Sequence, residues 1–221
     1  MPFRAEWWGI VWTTLRVTLP SASISALLGA SLGLSLERAR FRGKRWVVRI
    51  VRTLMGAPPV VVGLVVYLLF MRRGALGFFD LLFTVPAMIV AQVLVIAPIV
   101  CGMVHSAAEQ KAQAIRAFAA SMGANRPQTR RLLVRELRAD VYFAALTGFG
   151  RAMSEVGAVM IVGGNIQGKT RTMTTSIALL RNRGEYGDAI AMGALLLLIA
   201  FAIQWGADAL RRGDGGFDEN L

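Results

Sequence analysis

The chain has 221 residues, 55% of them hydrophobic and 17% charged, with a mean hydropathy of +0.54. A soluble domain carries about 25% charged residues, so the composition predicts a single-domain polytopic membrane protein. A lone cysteine (Cys101) and a lone histidine (His105) exclude an internal disulfide or thiolate metal cluster and argue against a histidine-based metal or acid–base site, while the net charge of +12 is assigned to membrane topology rather than to nucleic acid.

The first predicted span covers about residues 7–36. It has no cleavable-leader pattern and is expected to stay as an anchor. It opens with Trp7, Trp8 and Trp12, suited to an interfacial aromatic belt. It then turns small through Ser21, Ala22, Ser25, Gly29 and Gly33, a face that lets membrane helices approach closely. Pro20 predicts a kink or an irregular start. A basic interval, 37–52, follows. The second span is expected over 53–70, with a first turn distorted by Pro58 and Pro59, and the third over 84–104, carrying Pro86, Gln92 and Pro98.

Residues 105–140 form the longest polar interval of the chain, read as two short helices with a break. Ala112 to Met122 is rich in helix formers, Gly123 is its expected C-cap, and Asn125 with Pro127 starts the next helix. Ile115, Phe118, Ala119 and Met122 fall at i, i+3, i+4 and i+7 and form one apolar face. Such a face either lies on the protein's own helix ends or the lipid headgroups, or receives a soluble partner.

The fourth span, 141–162, carries Arg151 and Glu155 at i and i+4. Charges in hydrocarbon are costly, so the two are expected to pair, either as a structural ion pair or as the lining of a path or an interface pin. Gly148, Gly150, Ser154, Gly157 and Ala158 give this span a small face, and Gln92 is a weaker candidate for the same path. A second polar interval, 163–188, contains a Thr-rich helical piece near 171–180. The fifth span is expected over 189–210, closing a domain of residues 1–212 with a solvated tail at 213–221. With the N-terminus outside, sixteen basic residues fall on the inner side (seven in 37–52, seven in 105–140, and Arg211 and Arg212) against seven outside. The expected arrangement is N-out, C-in, with 105–140 in the cytoplasm.

Gly163 to Thr170 satisfies the pattern G-x-x-x-x-G-K-[ST], in which amides cradle phosphates, Lys169 reaches the outer ones and Thr170 holds magnesium. A nucleotide site is refused here. The preceding run is long enough to span a bilayer, no hydrophobic run ending in Asp follows, and the loop falls outside the cell. It reads instead as a Gly-Gly helix end followed by a polar turn, or as an outward loop in which Gly163, Gly164, Asn165, Lys169 and Arg171 attract anions or touch a partner.

Residues 118–123, Phe-Ala-Ala-Ser-Met-Gly, resemble the EAA loop of ABC-transporter permeases of the type I importer class. Two positions depart from that pattern. Phe118 replaces the acidic residue and Arg135-Glu136 the Leu-Pro, so neither an ion pair to the ATPase from position 118 nor the later kink carries over. Gly150 to Ile166 (GRAMSEVGAVMIVGGNI), Pro58 to Phe70 and Leu81 to Gln92 resemble the molybdate, sulfate and tungstate permeases, tungstate most of all. The resemblance implies an all-α bundle of about five spans and no catalytic residue, cofactor or metal of its own. It further implies a pore of two copies, two cytoplasmic ATPases on a coupling helix (Ile115, Phe118, Ala119, Ala120, Met122, Gly123, Asn125) and an extracytoplasmic oxyanion-binding protein. A self-contained channel or secondary transporter using Arg151 and Glu155, and a P-loop enzyme, are the rival expectations.

Overall fold

The computed structural model describes the backbone of residues 6–214 and the side chains of residues 6–209. Among these residues there are α-helices and no strands: α1 (Trp7–Arg38), α2 (Lys44–Met55), α3 (Pro59–Phe70), α4 (Val85–Ser121), α5 (Arg126–Glu136), α6 (Arg138–Met153), α7 (Gly157–Gly163), α8 (Met173–Asn182) and α9 (Tyr186–Asp214). Three of them, α1, α4 and α9, are long and apolar enough to cross a bilayer. The bent pairs α2–α3 and α6–α7 raise the number of spans to as many as five.

α1 is one unbroken helix, and Pro20 sits inside it. Its small face packs on α4. A Cβ on Gly29 would lie 2.6 Å from Val100 Cβ, and one on Gly33 would lie 2.7 Å from the Cys101 carbonyl oxygen. Only glycine allows two backbones this close, and in lipid such van der Waals contact is what holds helices together.

Pairwise contacts give the helix directions. Val17 packs with Met88, Ser21 bonds Gln92 and Gly29 faces Val100, so α1 and α4 run parallel. Gly148 meets Val100, Gln92 bonds Ala152, and Gly163 meets Met88, so α6–α7 runs against α4. Gly63 lies against Ala158 and Gly157 against Val60, which makes α3 parallel to α7. Met192 packs with Ile10, while Asp208 bonds Tyr142, which makes α9 parallel to α1. The five traverses therefore alternate. One end of the bundle gathers the N-terminus of α1, the 71–84 connection and 163–192; Gln167 donates to Glu6 there at 2.6 Å. The other end gathers 37–55 and 105–140, joined by Arg116–Glu37 and Arg52–Glu109. Both basic intervals lie at the same end.

Four sequence expectations are corrected. Residues 53–70 are not one helix: the chain breaks at Gly56–Pro58 and α2 and α3 meet at 104°. Residues 141–162 are also broken, at Ser154–Val156, by 55°. No separate helix spans 112–122; α4 continues for 37 residues, about 55 Å, so its last turns project well past a hydrocarbon core of about 30 Å. α9 runs to Asp214, into the stretch read as a solvated tail, and residues 215–221 lie outside the described residues. The Thr-rich helix falls at α8, near its expected place.

Candidate functional site

The projecting tip of α4 folds back through a tight turn onto α5. Gly123 stands at φ +68°, with Ala124 N–H donating to Ala119 O (2.9 Å) and Gly123 N–H to Ala120 O (3.1 Å). This is a Schellman stop, which needs a residue free to adopt the left-handed region. Asn125 then caps α5: its side chain accepts from Gln128 N–H, and the Gln128 side chain accepts from Asn125 N–H. Helix end, glycine and cap thus form one hinge.

The apolar face read at 115–122 is divided by this hinge. Ala119 is buried, and Ala108 and Ala112 form a buried cluster with Leu133 and Leu137, against which Ile115 packs. Phe118 is 59% exposed and Met122 72%. Ile115 and Phe118 border an open apolar notch of about 260 Å³ with Ala114, Leu132 and Glu136. Ala120 and Asn125 are exposed beside it. Two ion pairs brace the hinge: Lys111–Asp140 at 2.6 Å, and Arg116, which donates to both oxygens of Glu37 at 2.8 and 2.9 Å. Glu37 was not singled out from sequence. Its isolation was the available signal, since no other Asp or Glu occurs between Glu6 and Asp80.

At mid-bundle, Gln92 is buried and knits three helices. It accepts from the Ser21 hydroxyl and donates from Nε2 to Ala152 O at 3.1 Å. Both ends of its side-chain amide are thus engaged by neighbouring helices. Arg151 and Glu155 pair at 3.4 Å, with side-chain exposures of 35% and 1%. They do so across the α6–α7 break rather than along one helix. Glu155 Oε1 accepts from Ala158 N–H at 3.0 Å, and the Glu155 carbonyl accepts from the Thr174 hydroxyl at 3.0 Å. Glu155 therefore starts α7 and ties it to α8, and it holds a half-exposed guanidinium beside it. Of the small face, Gly148, Gly157 and Ala158 pack in the centre, whereas Ser154 is exposed and bonds only back to Arg151 O among its side-chain contacts.

At the opposite end, α7 stops at Gly163, with Gly164 at φ +70° and Asn165 at φ +50°. The segment before the P-loop-like pattern is a helix, and no helix starts at Lys169 or Thr170, so the phosphate cradle is not formed. Thr170 is buried; its hydroxyl donates to Gly163 O and accepts from Ile166 N–H at 3.0 Å. It pins the turn from a buried position. Lys169 is exposed and Arg171 half-buried on that turn. Thr174 is not singled out by the sequence, because its partner, the Glu155 carbonyl 19 residues earlier, is set by the fold.

Alternating helical traverses with one protruding, braced hinge define a polytopic membrane protein. A family model described as binding-protein-dependent transport system inner membrane component matches residues 25–213, and the chain belongs to that family of transporter subunits. It is 42% identical over 201 residues to a tungstate uptake system permease protein of Peptoclostridium acidaminophilum, covering 91% of this chain and 88% of that one. It is 37% identical over 204 residues to the protein of the same name from Campylobacter jejuni, covering 90% and 85%. A sulfate transport system permease protein of Synechococcus elongatus is 29% identical over 192 residues, covering 84% of this chain and 66% of that one.

Proposed function

We propose that this chain is the membrane-spanning subunit of an ATP-driven importer of tungstate, or of a closely similar tetrahedral oxyanion. The observation that carries the substrate is the step in identity, from 42% and 37% with proteins named for tungstate uptake to 29% with one named for sulfate transport. The exposed Phe118 and Met122 beside an open apolar notch support docking of a soluble ATPase at the α4–α5 hinge. Hydrolysis belongs to that partner. The gathering of both basic intervals at the hinge end supports a cytoplasmic hinge and an N-out chain.

Two copies form the path, and two ATPases grip the two hinges. An extracytoplasmic protein delivers the oxyanion at the other end, where Gly163, Gly164, Asn165, Lys169 and Arg171 lie. Arg151, held by Glu155 next to the Ser154 hydroxyl, offers a fixed cation to a passing dianion. Closure of the ATPases moves the hinges and switches the side to which the path opens; each ligand biases that switch only by its different affinity for the two states.

The test is metal-specific uptake by cells carrying the transporter, with tungstate supplied against a hundredfold excess of molybdate or sulfate. Tungstate uptake should persist. Suppression by sulfate or by molybdate would reassign the substrate to that ion. Flux through the purified chain alone in liposomes, without nucleotide, would overturn the importer reading.

A further inference from the structure

Among the α-helices of the described residues, α2 alone buries no side chain, although it packs beside α4 with Met55 directly over Gly102. Its surface is sharply divided. Trp46, Val47, Ile50 and Leu54 form one apolar face, with Trp46 66% and Ile50 56% exposed. On the other side Arg42, Lys44, Arg45, Arg49 and Arg52 line an open groove of about 630 Å³, and among the described residues Glu109 of α4 is its only acidic wall residue. Arg52 and Glu109 are 3.9 Å apart and both largely exposed, so this pair neutralises little of the groove. No Asp or Glu occurs from residue 38 to residue 79.

Neither face is fully satisfied among the described residues: on the basic one Lys44 Nζ donates to Glu37 O at 2.7 Å, and the groove stays open. An exposed Trp-Val-Ile-Leu face does not belong in water, and five cations against one carboxylate call for an anion. The 104° bend into α3 turns α2 across the direction of that traverse, while α3 itself exposes Val60, Val61, Leu64, Val65 and Leu68. One occupant meets both demands. A bilayer surface supplies apolar matter to the first face and phosphate groups to the second, as for helices that lie in the interfacial plane. Arg49, stacked 5.1 Å over the Trp46 ring, sits at the seam between the two faces.

We propose that α2 lies in the membrane interface and that the groove between its basic face and Glu109 binds the headgroup phosphate of an anionic phospholipid. The reading rests on the chain's membrane-protein family and not on which oxyanion it carries. Bound there, the lipid bridges the 39–43 connection, α2 and α4 just above the hinge.

The test uses the full-length protein, purified in mild detergent and mixed with equal amounts of phosphatidylglycerol and phosphatidylcholine. Retained lipid is counted by native mass spectrometry. The wild type should retain phosphatidylglycerol more than tenfold over phosphatidylcholine. The exposed-site variant R45Q/R49Q/R52Q should lose that preference, at about fivefold per cation removed. Glu109→Gln should raise retention several-fold, which distinguishes a headgroup site from general loss of fold. In bilayers of brominated phosphatidylglycerol, the emission difference between wild type and Trp46→Phe should be quenched. No lipid preference in the wild type, or a preference surviving the triple variant, would overturn the proposal. Displacement of the lipid by millimolar inorganic phosphate would overturn it in favour of a free-anion site. An unquenched Trp46 would overturn it in favour of a protein copy covering the apolar face.

Discussion

Replacing Gly29 with alanine tests the seam on which the bundle is built. The added Cβ would fall 2.6 Å from Val100 Cβ and 2.9 Å from both Ala97 O and Val100 Cγ1. Restoring ordinary contact of about 3.6 Å requires α1 and α4 to part by about 1 Å, and a gap of that size forfeits a quarter to a half of each neighbouring dispersion contact. Overpacking of this kind costs about 1–3 kcal/mol. For a protein of this size that corresponds to a fall in Tm of roughly 2–12 °C. The control lies on the same helix: a Cβ on Gly9 would meet nothing within 4 Å. Gly9→Ala gains helix propensity of about 0.5–1 kcal/mol and should hold or raise Tm. Both variants are to be melted in the same detergent, followed by tryptophan emission. Equal Tm for wild type and Gly29→Ala, or equal losses for the two alanines, would refute the claim that α1 and α4 touch through glycine.

Four further outcomes are expected. Phe118→Asp should leave the fold and melting temperature unchanged, because the side chain is exposed, while ATPase co-purification and uptake fall at least tenfold; unchanged co-purification removes the notch as a dock. Gly123→Val should cost about 1–2 kcal/mol through its positive φ alone, since nothing lies within 4 Å of its Cβ, and Gly123→Asn should cost less, which differential melting resolves. Gln92→Leu should lower stability by about 1–2 kcal/mol by breaking its bonds to Ser21 and Ala152, and a Tm equal to wild type would contradict a stabilising role for them. Thr170→Val should destabilise by about 1–3 kcal/mol through two lost bonds to the turn, whereas Lys169→Ala should change nucleotide binding to the assembled transporter not at all.

What sequence reasoning could reach was set by how local each cause is. Gly29 and Gly33 announced a close helix approach because spacing along one helix is a local property. Gly123 and Asn125 announced a stop and a start because caps act within a few residues. The continuation of α4 past Val104 is legible in that no Gly or Pro interrupts His105 to Ser121, and a change from apolar to polar residues moves a helix out of lipid without ending it. The break at Ser154–Val156 is held partly by local and mostly by distant contacts. It is held by Glu155 reaching the Ala158 amide, by Thr174 reaching the Glu155 carbonyl, and by Gly157 against Val60, contacts separated by up to 97 positions in the chain. The same applies to Gln92: one amide in an apolar span says that a partner exists, and only the packed bundle says that there are two, on different helices.

α4 joins two of these findings in one continuous helix, with Pro98 inside it. Gln92 fastens it deep in the bundle, and 29 residues later it ends at the Gly123 stop, a reach of about 43 Å with no break in its helix. A tilt of only about 5° around the Gln92 fastening sweeps the far tip through about 4 Å. In the proposed importer, motion of a few ångströms at Phe118 and Met122 would return to the bilayer centre as a small rotation rather than a large slide. The two hydrogen bonds at Gln92 would then serve as the bearing of a gear with a high reduction ratio.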